Sequence, residues 1–236
     1  MNILLFEKKD LRPDNTVEIS GLKARHIKDV LKLGKNDFLK TGEINGKTGL
    51  SKILAVNKDT IVIQPCHKND PAPPLDLTLI TALPRPKAAR RIIYSAALLG
   101  IKKIYLINSS KVEKSYWQSP LIDEPEIKKQ LINALEQSFD TLMPEVIQKK
   151  LFKPFCEDEL PLILENSCAF LLDPYSDKEF PKNPGRGHSV LIIGPDGGFT
   201  DYENQKITEA GAAPCYLGKR ILRVETSVVA AASKFI

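Results

Sequence analysis

The segment Leu191-Ile192-Ile193-Gly194-Pro195-Asp196-Gly197-Gly198-Phe199-Thr200 runs an apolar stretch into a glycine-rich turn. Thr200 can cap a following helix, and Glu203 stands at the reciprocal position of a capping box. Strand, glycine turn and helix in that order mark where open α/β sheets hold ligands, because glycines let backbone polar groups approach a bound molecule. An ordinary strand-to-helix turn would carry the same residues. Spacing narrows the chemistry: Gly194, Gly197 and Gly198 do not make G-x-G-x-x-G, and no G-K-[ST] follows to hold a phosphate and its Mg²⁺. The loop suits a ligand read through backbone hydrogen bonds, such as an adenosine-type group without a triphosphate.

A second concentration is Tyr216-Leu217-Gly218-Lys219-Arg220-Ile221-Leu222-Arg223-Val224-Glu225-Thr226-Ser227. It leads into the small apolar run Val228 to Ser233, read as a closely packed C-terminal helix. If Leu217, Ile221 and Leu222 are buried, Arg220 and Arg223 are at least partly withdrawn from water and need anionic partners. Those partners are either a ligand or Glu225 and Asp196 in structural ion pairs. The histidines His26, His67 and His188 and the cysteines Cys66, Cys156, Cys168 and Cys215 are scattered, without metal-ligand spacing or a C-x-x-C pair. No metal and no disulfide framework are expected, and the thiols suit a reducing cytoplasm.

These residues need a framework, and 236 residues allow one or two domains, with two favoured. An apolar content of 42% with only 7% aromatics fits aliphatic cores, which excludes disordered and fibrous classes. No apolar run approaches the roughly 20 residues of a membrane span, and the start is charged early, so a cytoplasmic protein is expected. The net charge of +5 is too small for a polybasic binder. Residues 1–72 nevertheless hold 13 basic against 9 acidic side chains, a surplus of four that marks a polyanion-facing module.

The proline-rich break Asp70-Pro71-Ala72-Pro73-Pro74 sets a domain boundary, giving domains 1–72 and 73–236. Upstream, strands are expected at Asn2 to Phe6, Thr16 to Ile19, Asp37 to Ile44, Thr48 to Val56 and Thr60 to Pro65. A helix is expected over Leu22 to Leu33, and a type I′ hairpin turn at Asn45-Gly46. Downstream, strands at Leu75 to Ala82, Lys103 to Ile107, Cys168 to Leu172 and Val190 to Ile193 alternate with helices at Ala88 to Leu99, Glu126 to Phe139 and Asp201 to Ala210. Apolar strands in βα alternation imply a largely parallel sheet covered on both faces. On the first helix, Arg25, Lys28 and Lys32 at i, i+3 and i+7 form a candidate phosphate rail, or else a solvated face. Leu22, His26 and Val30 form the opposite, apolar face.

The pair Ile193-Gly194-Pro195-Asp196-Gly197-Gly198-Phe199 and Leu217-Gly218-Lys219-Arg220-Ile221-Leu222-Arg223-Val224-Glu225-Thr226 resembles the paired motifs of RsmE-type methyltransferases of the SPOUT class. His26, Val30, Leu31, Leu33, Gly34 and Asp37 extend the resemblance to the N-terminus. It implies a PUA-like RNA-binding β-barrel domain followed by an α/β methyltransferase domain whose C-terminal segment is threaded into a trefoil knot. It also implies S-adenosylmethionine-dependent methylation of a uracil, at ring nitrogen 3, in 16S ribosomal RNA of the small subunit, by a homodimer. The implied cofactor walls are Leu172, Gly194, Pro195, Asp196, Gly197, Gly198, Leu217, Gly218, Ile221 and Leu222. Arg220, Arg223 and Glu225 are the implied catalytic residues, and Arg25, Lys28 and Lys32 the RNA contacts.

The sequence departs from the family pattern in three places. Asp196 replaces a glutamate, which keeps the charge and shortens its reach. Phe139 and Asp140 stand where glycine and arginine are usual, which reverses a charge expected near RNA. The segment 84–115, with Arg85, Lys87, Arg90 and Arg91, follows the pattern only loosely. Two other activities therefore stay in view: ribose 2′-O-methylation of RNA, and a non-catalytic RNA-binding assembly factor.

Overall fold

The computed structural model describes residues 2–185 and 187–236. It contains two compact units, one formed by Met1–Pro73 with Leu135–Met143 and the other by Pro74–Ala134 with Pro144–Ile236. The segment Leu135–Met143, read from sequence as part of the second domain, therefore packs with the first unit.

The first unit is a curled, mixed sheet of β1 (Leu4–Phe6), β2 (Val17–Ser20), β3 (Phe38–Glu43), β4 (Thr48–Val56) and β5 (Thr60–Asn69). The strand order is β1-β3-β4-β5-β2, with β1 parallel to β3 and the remaining pairs antiparallel. Alternate residues point to opposite faces of a strand, so Leu4, Phe6, Val17, Ile19, Leu39, Ile53, Ile61 and Ile63 meet in one core. Ala24 and Ile27 close that core from the helical segment.

That segment differs from the expected single helix. It is α1 (Gly21–Arg25) continued by a π-turn at His26–Val30, and Lys32 lies at φ +54°. The wider turn rotates later residues off the 3.6-residue stripe. Val30 falls outside the core, Leu22 in the preceding turn is exposed as well, and Ala24 and Ile27 are the residues that bury. The turn after β3 also differs, because its positive φ falls on Asn45 alone and a type I′ turn requires it at two residues.

In the second unit all six strands run parallel in the order β11-β9-β10-β6-β7-β8. They are β6 (Leu75–Ala82), β7 (Ile101–Ile107), β8 (Glu145–Lys149), β9 (Cys168–Leu172), β10 (Ser189–Ile193) and β11 (Ala213–Cys215). The expected strands occupy the middle of the sheet, and β10 is buried at every position. The two edge strands β8 and β11 escaped the sequence reading. Edge positions carry fewer apolar residues, and β11 contains Pro214, which an edge tolerates.

Helices α2 (Pro86–Leu98) and α3 (Glu124–Ser138), the short α4 (Phe152–Pro154) and α5 (Leu160–Leu164), then α6 (Asp201–Glu209) and α7 (Val224–Ala232) complete the chain. Pro86 opens α2 at a position where its missing N–H costs nothing. Ala89, Ile92, Ile93, Ala96 and Ala97 form the buried face of α2, and α2 packs against α7.

Candidate active site

The site lies at the carboxyl ends of the inner strands, where the register sets Ile193 of β10 beside Leu172 of β9, and Leu172 beside Cys215 of β11. The chain passes from β9 to β10 on one side of β9 and returns to β11 on the other, so this is a point of reversed strand order, where α/β sheets open a crevice. A cavity of about 360 Å³ opens there.

Both motif segments line it. Gly194, Pro195, Asp196 and Gly198 come from the loop after β10, and Leu217, Gly218, Arg220, Ile221, Leu222 and Arg223 from the segment before α7. Leu172 adds the end of β9 to the expected wall; Asp173, Pro174 and Cys215 line the cavity from outside both motif segments, and Ile193, Tyr216, Val224 and Ser227 line it from the singled-out segments without having been expected as wall residues. Asp173-Pro174, a turn pair directly after an apolar strand, was the available signal for two of them.

Gly197 is absent from the lining. A Cβ there would meet the Lys111 side chain at 3.1 Å, and the Lys111 Nζ donates to the Gly197 carbonyl at 2.6 Å. The glycine is spent on the loop's own anchorage. Pro195 to Gly198 form a turn closed by the Gly198 N–H on the Pro195 carbonyl at 2.8 Å, with Gly198 at φ +67°. A side chain at Gly198 would strain the turn regardless of space. At Gly194 a Cβ would approach the Phe199 ring and backbone nitrogen to 3.1 Å, so a side chain there would crowd the end of the strand.

The capping box read from the sequence is present and extends further than the sequence indicates. Glu203 is almost completely buried and accepts from the Thr200 N–H at 2.9 Å and the Thr200 hydroxyl at 3.0 Å. It also accepts from the Ser110 N–H at 2.6 Å and the Ser110 hydroxyl at 3.3 Å. One carboxylate thus ties the loop after β10 to the segment after β7.

The charged cluster departs from expectation. Ile221 is 73% exposed and Leu222 is also exposed, so burial of these neighbours does not force partners on the arginines. Among the described residues no carboxylate pairs with Arg220 or Arg223, and the alternative ion pairs of Arg223 with Glu225 or Asp196 are not formed. Instead the Arg91 Nη1 lies 3.6 Å from Glu225, and the Arg85 Nε lies 3.8 Å from Asp196. Glu225 sits in the first turn of α7, half-buried and off the cavity wall, whereas Arg220 and Arg223 are on that wall with free donors. Arg85 and Arg91 belong to the loosely patterned segment, where nothing local to the sequence points at their partners more than a hundred residues on.

The cavity's cysteine is inert. Burial pushes the Cys215 thiol up to about 11, and its Sγ faces the Leu171 carbonyl at 3.7 Å. Among the described residues no group of three His, Cys, Asp or Glu side chains could hold a metal ion, and no helix is long and apolar enough to cross a membrane.

The three residues of the candidate phosphate rail do not form a straight row. Arg25 ends α1, Lys28 lies in the π-turn, and Lys32 stands outside the helical segment altogether. The Lys28 Nζ donates to the carbonyls of Asn57 and Lys58, which occupies part of its hydrogen-bonding capacity.

Comparison with known proteins gives this arrangement a family. Residues 71–236 match the model of the RNA methyltransferase domain. The chain belongs to that family. Along 98% of its length it is 30% identical to the ribosomal RNA small subunit methyltransferase E of Treponema pallidum, 89% of which is covered. A relative in Borreliella burgdorferi, ribosomal RNA small subunit methyltransferase E 1, is 28% identical over 100% of this chain and 99% of its own. The fold is shared with the ribosomal RNA small subunit methyltransferase E of Neisseria gonorrhoeae, solved bound to S-adenosylmethionine. That likeness has a TM-score of 0.75 at 20% identity, covering 99% of this chain and 95% of that one.

Proposed function

We propose that the protein transfers a methyl group from S-adenosylmethionine to nitrogen 3 of a uracil in 16S ribosomal RNA of the small subunit. The observation that carries this reading is the cavity at the reversed strand order. It is walled by both motif segments and carries Arg220 and Arg223 without carboxylate partners. Relatives along the whole chain bear the name of small-subunit ribosomal RNA methyltransferases, which supports the substrate.

The cavity fits the cofactor in size, since small-molecule sites begin at about 300 Å³. It fits in chemistry too, because Leu217, Ile221 and Leu222 offer apolar surface beside the backbone of Gly194 and Gly218, which also line the cavity. Nothing within 4 Å would obstruct a ligand at the Cβ position of Gly218. S-adenosylmethionine supplies an electrophilic methyl on a sulfonium. The chain's own task is alignment, and holding an acceptor in line at near-attack distance contributes roughly 7–11 kcal/mol to such a transfer.

Uracil nitrogen 3 lies on the Watson–Crick edge between two carbonyls and carries a proton. The base must be unpaired and must lose that proton. Arg220 and Arg223 stabilise the negative charge that develops on the carbonyls, because a guanidinium stays ionised and presents several donors. Asp196, the carboxylate that lines the cavity, or water accepts the proton. The Arg91–Glu225 pair fixes the first turn of α7, from which Arg223 reaches the cavity.

In the same reading residues 1–72 are a PUA-like barrel that positions RNA, and residues 73–236 are the SPOUT methyltransferase domain, its C-terminal segment threaded as a trefoil knot. The pairing of β11 with β9, an earlier strand, supports the threading. Arg25, Lys28 and Lys32 supply phosphate contacts as points around a helix end. The enzyme works as a cytoplasmic homodimer.

The test is transfer of labelled methyl from S-adenosylmethionine to unmodified small subunits, with mass spectrometry of the nucleosides. 3-Methyluridine is expected. A 2′-O-methyl product would replace the nitrogen assignment, and cofactor binding without product on any RNA would leave a non-catalytic factor.

A further inference from the structure

The first unit has a sheet face that its main core does not use and that a smaller cluster of Ile3, Leu5 and Leu135 covers only at one end. Leu39, Thr41 and Ser51 point inward, so Phe38 and Lys40 of β3 and Leu50 and Lys52 of β4 point outward. The register sets Phe38 opposite Lys52, Lys40 opposite Leu50, and then Leu50 opposite Cys66 and Lys52 opposite Gln64 of β5. Phe38 is 59% exposed and Leu50 50%. Aromatic, aliphatic and cationic side chains therefore alternate over neighbouring strands.

One margin of the face is set by the segment Leu135–Met143. Thr141 lies where a Cβ on Gly42 would be, 2.6 Å away, so that segment covers the sheet at Gly42. Beyond it, Phe139 is half-exposed, and the Lys40 Nζ stands 5.3 Å from its ring centroid. Phe139 holds φ +62°, a conformation that bulky residues rarely adopt and that costs conformational energy. In that backbone conformation a large aromatic ring stands half-exposed at the edge of an open face.

Charge selects the occupant. Among residues 38–42, 49–52 and 64–68 there is no acidic side chain, while Lys40, Lys52 and Lys68 are present. None of the three has a carboxylate partner among the described residues. We propose that this face, with Phe38, Lys40, Leu50, Lys52 and Phe139, is a stacking platform for single-stranded RNA. The inference rests on the reading of the substrate as RNA and adds where unpaired nucleotides lie.

Bases stack on the exposed rings, and the lysines take the flanking phosphates. Duplex RNA is excluded, because its bases are already stacked and offer no face to a phenyl ring. A second copy of this chain is disfavoured by charge: a self-complementary contact would bury Lys40 and Lys52 of both copies on a face whose strand residues 38–42, 49–52 and 64–68 offer no carboxylate to meet them.

The experiment uses the full-length protein with a fluorescent single-stranded oligouridine, the matching RNA duplex and S-adenosylmethionine as separate ligands. The wild type should prefer the single strand. Phe38→Ala and Phe139→Ala should each weaken it by about tenfold, with unchanged affinity for S-adenosylmethionine. Replacing Lys40 and Lys52 by Gln should lower the salt dependence of binding. Equal single-strand affinity in the wild type and the Phe38→Ala/Phe139→Ala double variant overturns the platform. So does a change from dimer to monomer in that variant by sedimentation, which would assign the face to a second copy. If methyl transfer is absent from the wild type while the phenylalanine variants lose single-strand affinity, the transferase reading falls and the platform stands.

Discussion

Arg223 opens α7 and reaches the cavity, while its backbone carbonyl accepts from the Ser227 hydroxyl at 3.1 Å. Its side chain is exposed and unpaired, so its removal leaves no orphaned buried charge and the fold should persist. Arg223→Ala is expected to lower methyl transfer by about two to three orders of magnitude, the usual cost of losing one preorganised donor to a developing anion. Cofactor affinity should stay within a few-fold of wild type, and transfer near the wild-type rate would take Arg223 out of the mechanism.

The cysteines differ at the same scale. Burial pushes Cys156 up to about 12 and Cys215 up to about 11, with nearby Glu203 adding to the rise at Cys156. At pH 8 both remain thiols, and only thiolates react quickly. A thiol reagent at that pH should label the exposed Cys66 and Cys168 and spare the other two, as peptide mass spectrometry of the native protein would report. Early loss of the Cys215 peptide would contradict the burial argument.

Among the elements, the loop between β10 and α6 depends on three side chains from other segments. Lys111 holds the Gly197 carbonyl, Arg85 approaches Asp196, and Glu203 joins the α6 cap to Ser110. Glu203→Ala would remove the acceptor shared by the part-buried Ser110 and Thr200 N–H groups, at a cost of about 1.5–3 kcal/mol, the usual net worth of hydrogen bonds to a charged group. A lower denaturation midpoint and weaker cofactor binding should appear together, with Glu203→Gln intermediate. Wild-type values for both would mean that the loop is held by its own turn.

The capping box was legible in the sequence because Thr200 and Glu203 are three residues apart. Its link to Ser110 was not, because the partners are separated by 93 positions and meet only when β7 and β10 are in place. The first helix failed for a different reason. Leu22, His26 and Val30 fit a 3.6-residue stripe, but a π-turn inserts an extra residue per turn and changes which side chains bury.

For the whole molecule, the two units are not two consecutive stretches of chain. Leu135–Met143 belongs to the first unit, where Leu135 packs with Ile3 and Leu5. In that unit Glu136 accepts from the Leu5 N–H at 3.0 Å and the Lys23 Nζ at 2.7 Å. A fragment of residues 1–73 would therefore expose Ile3 and Leu5 and leave the Leu5 N–H unmatched. It should lack a cooperative unfolding transition by circular dichroism, whereas the intact chain should show one. Cooperative unfolding of the fragment with native-like stability would mean that the returning segment is dispensable.

The sequence alone determined what is encoded over a few neighbouring residues: the apolar inner strands, the glycine turn, the helix cap, the proline break and the motif pair that identifies the family. Each of these depends on local dihedral preference or on a period of two or 3.6 residues. The tertiary structure decided which distant residues share a place. Leu172 stands beside Ile193 and Cys215, Arg91 reaches Glu225, Phe139 borders the outer sheet face, and Ile221 is left open to solvent. Register, strand order and exposure come from packing surfaces far apart in the chain, and such packing leaves no periodic mark in any single segment.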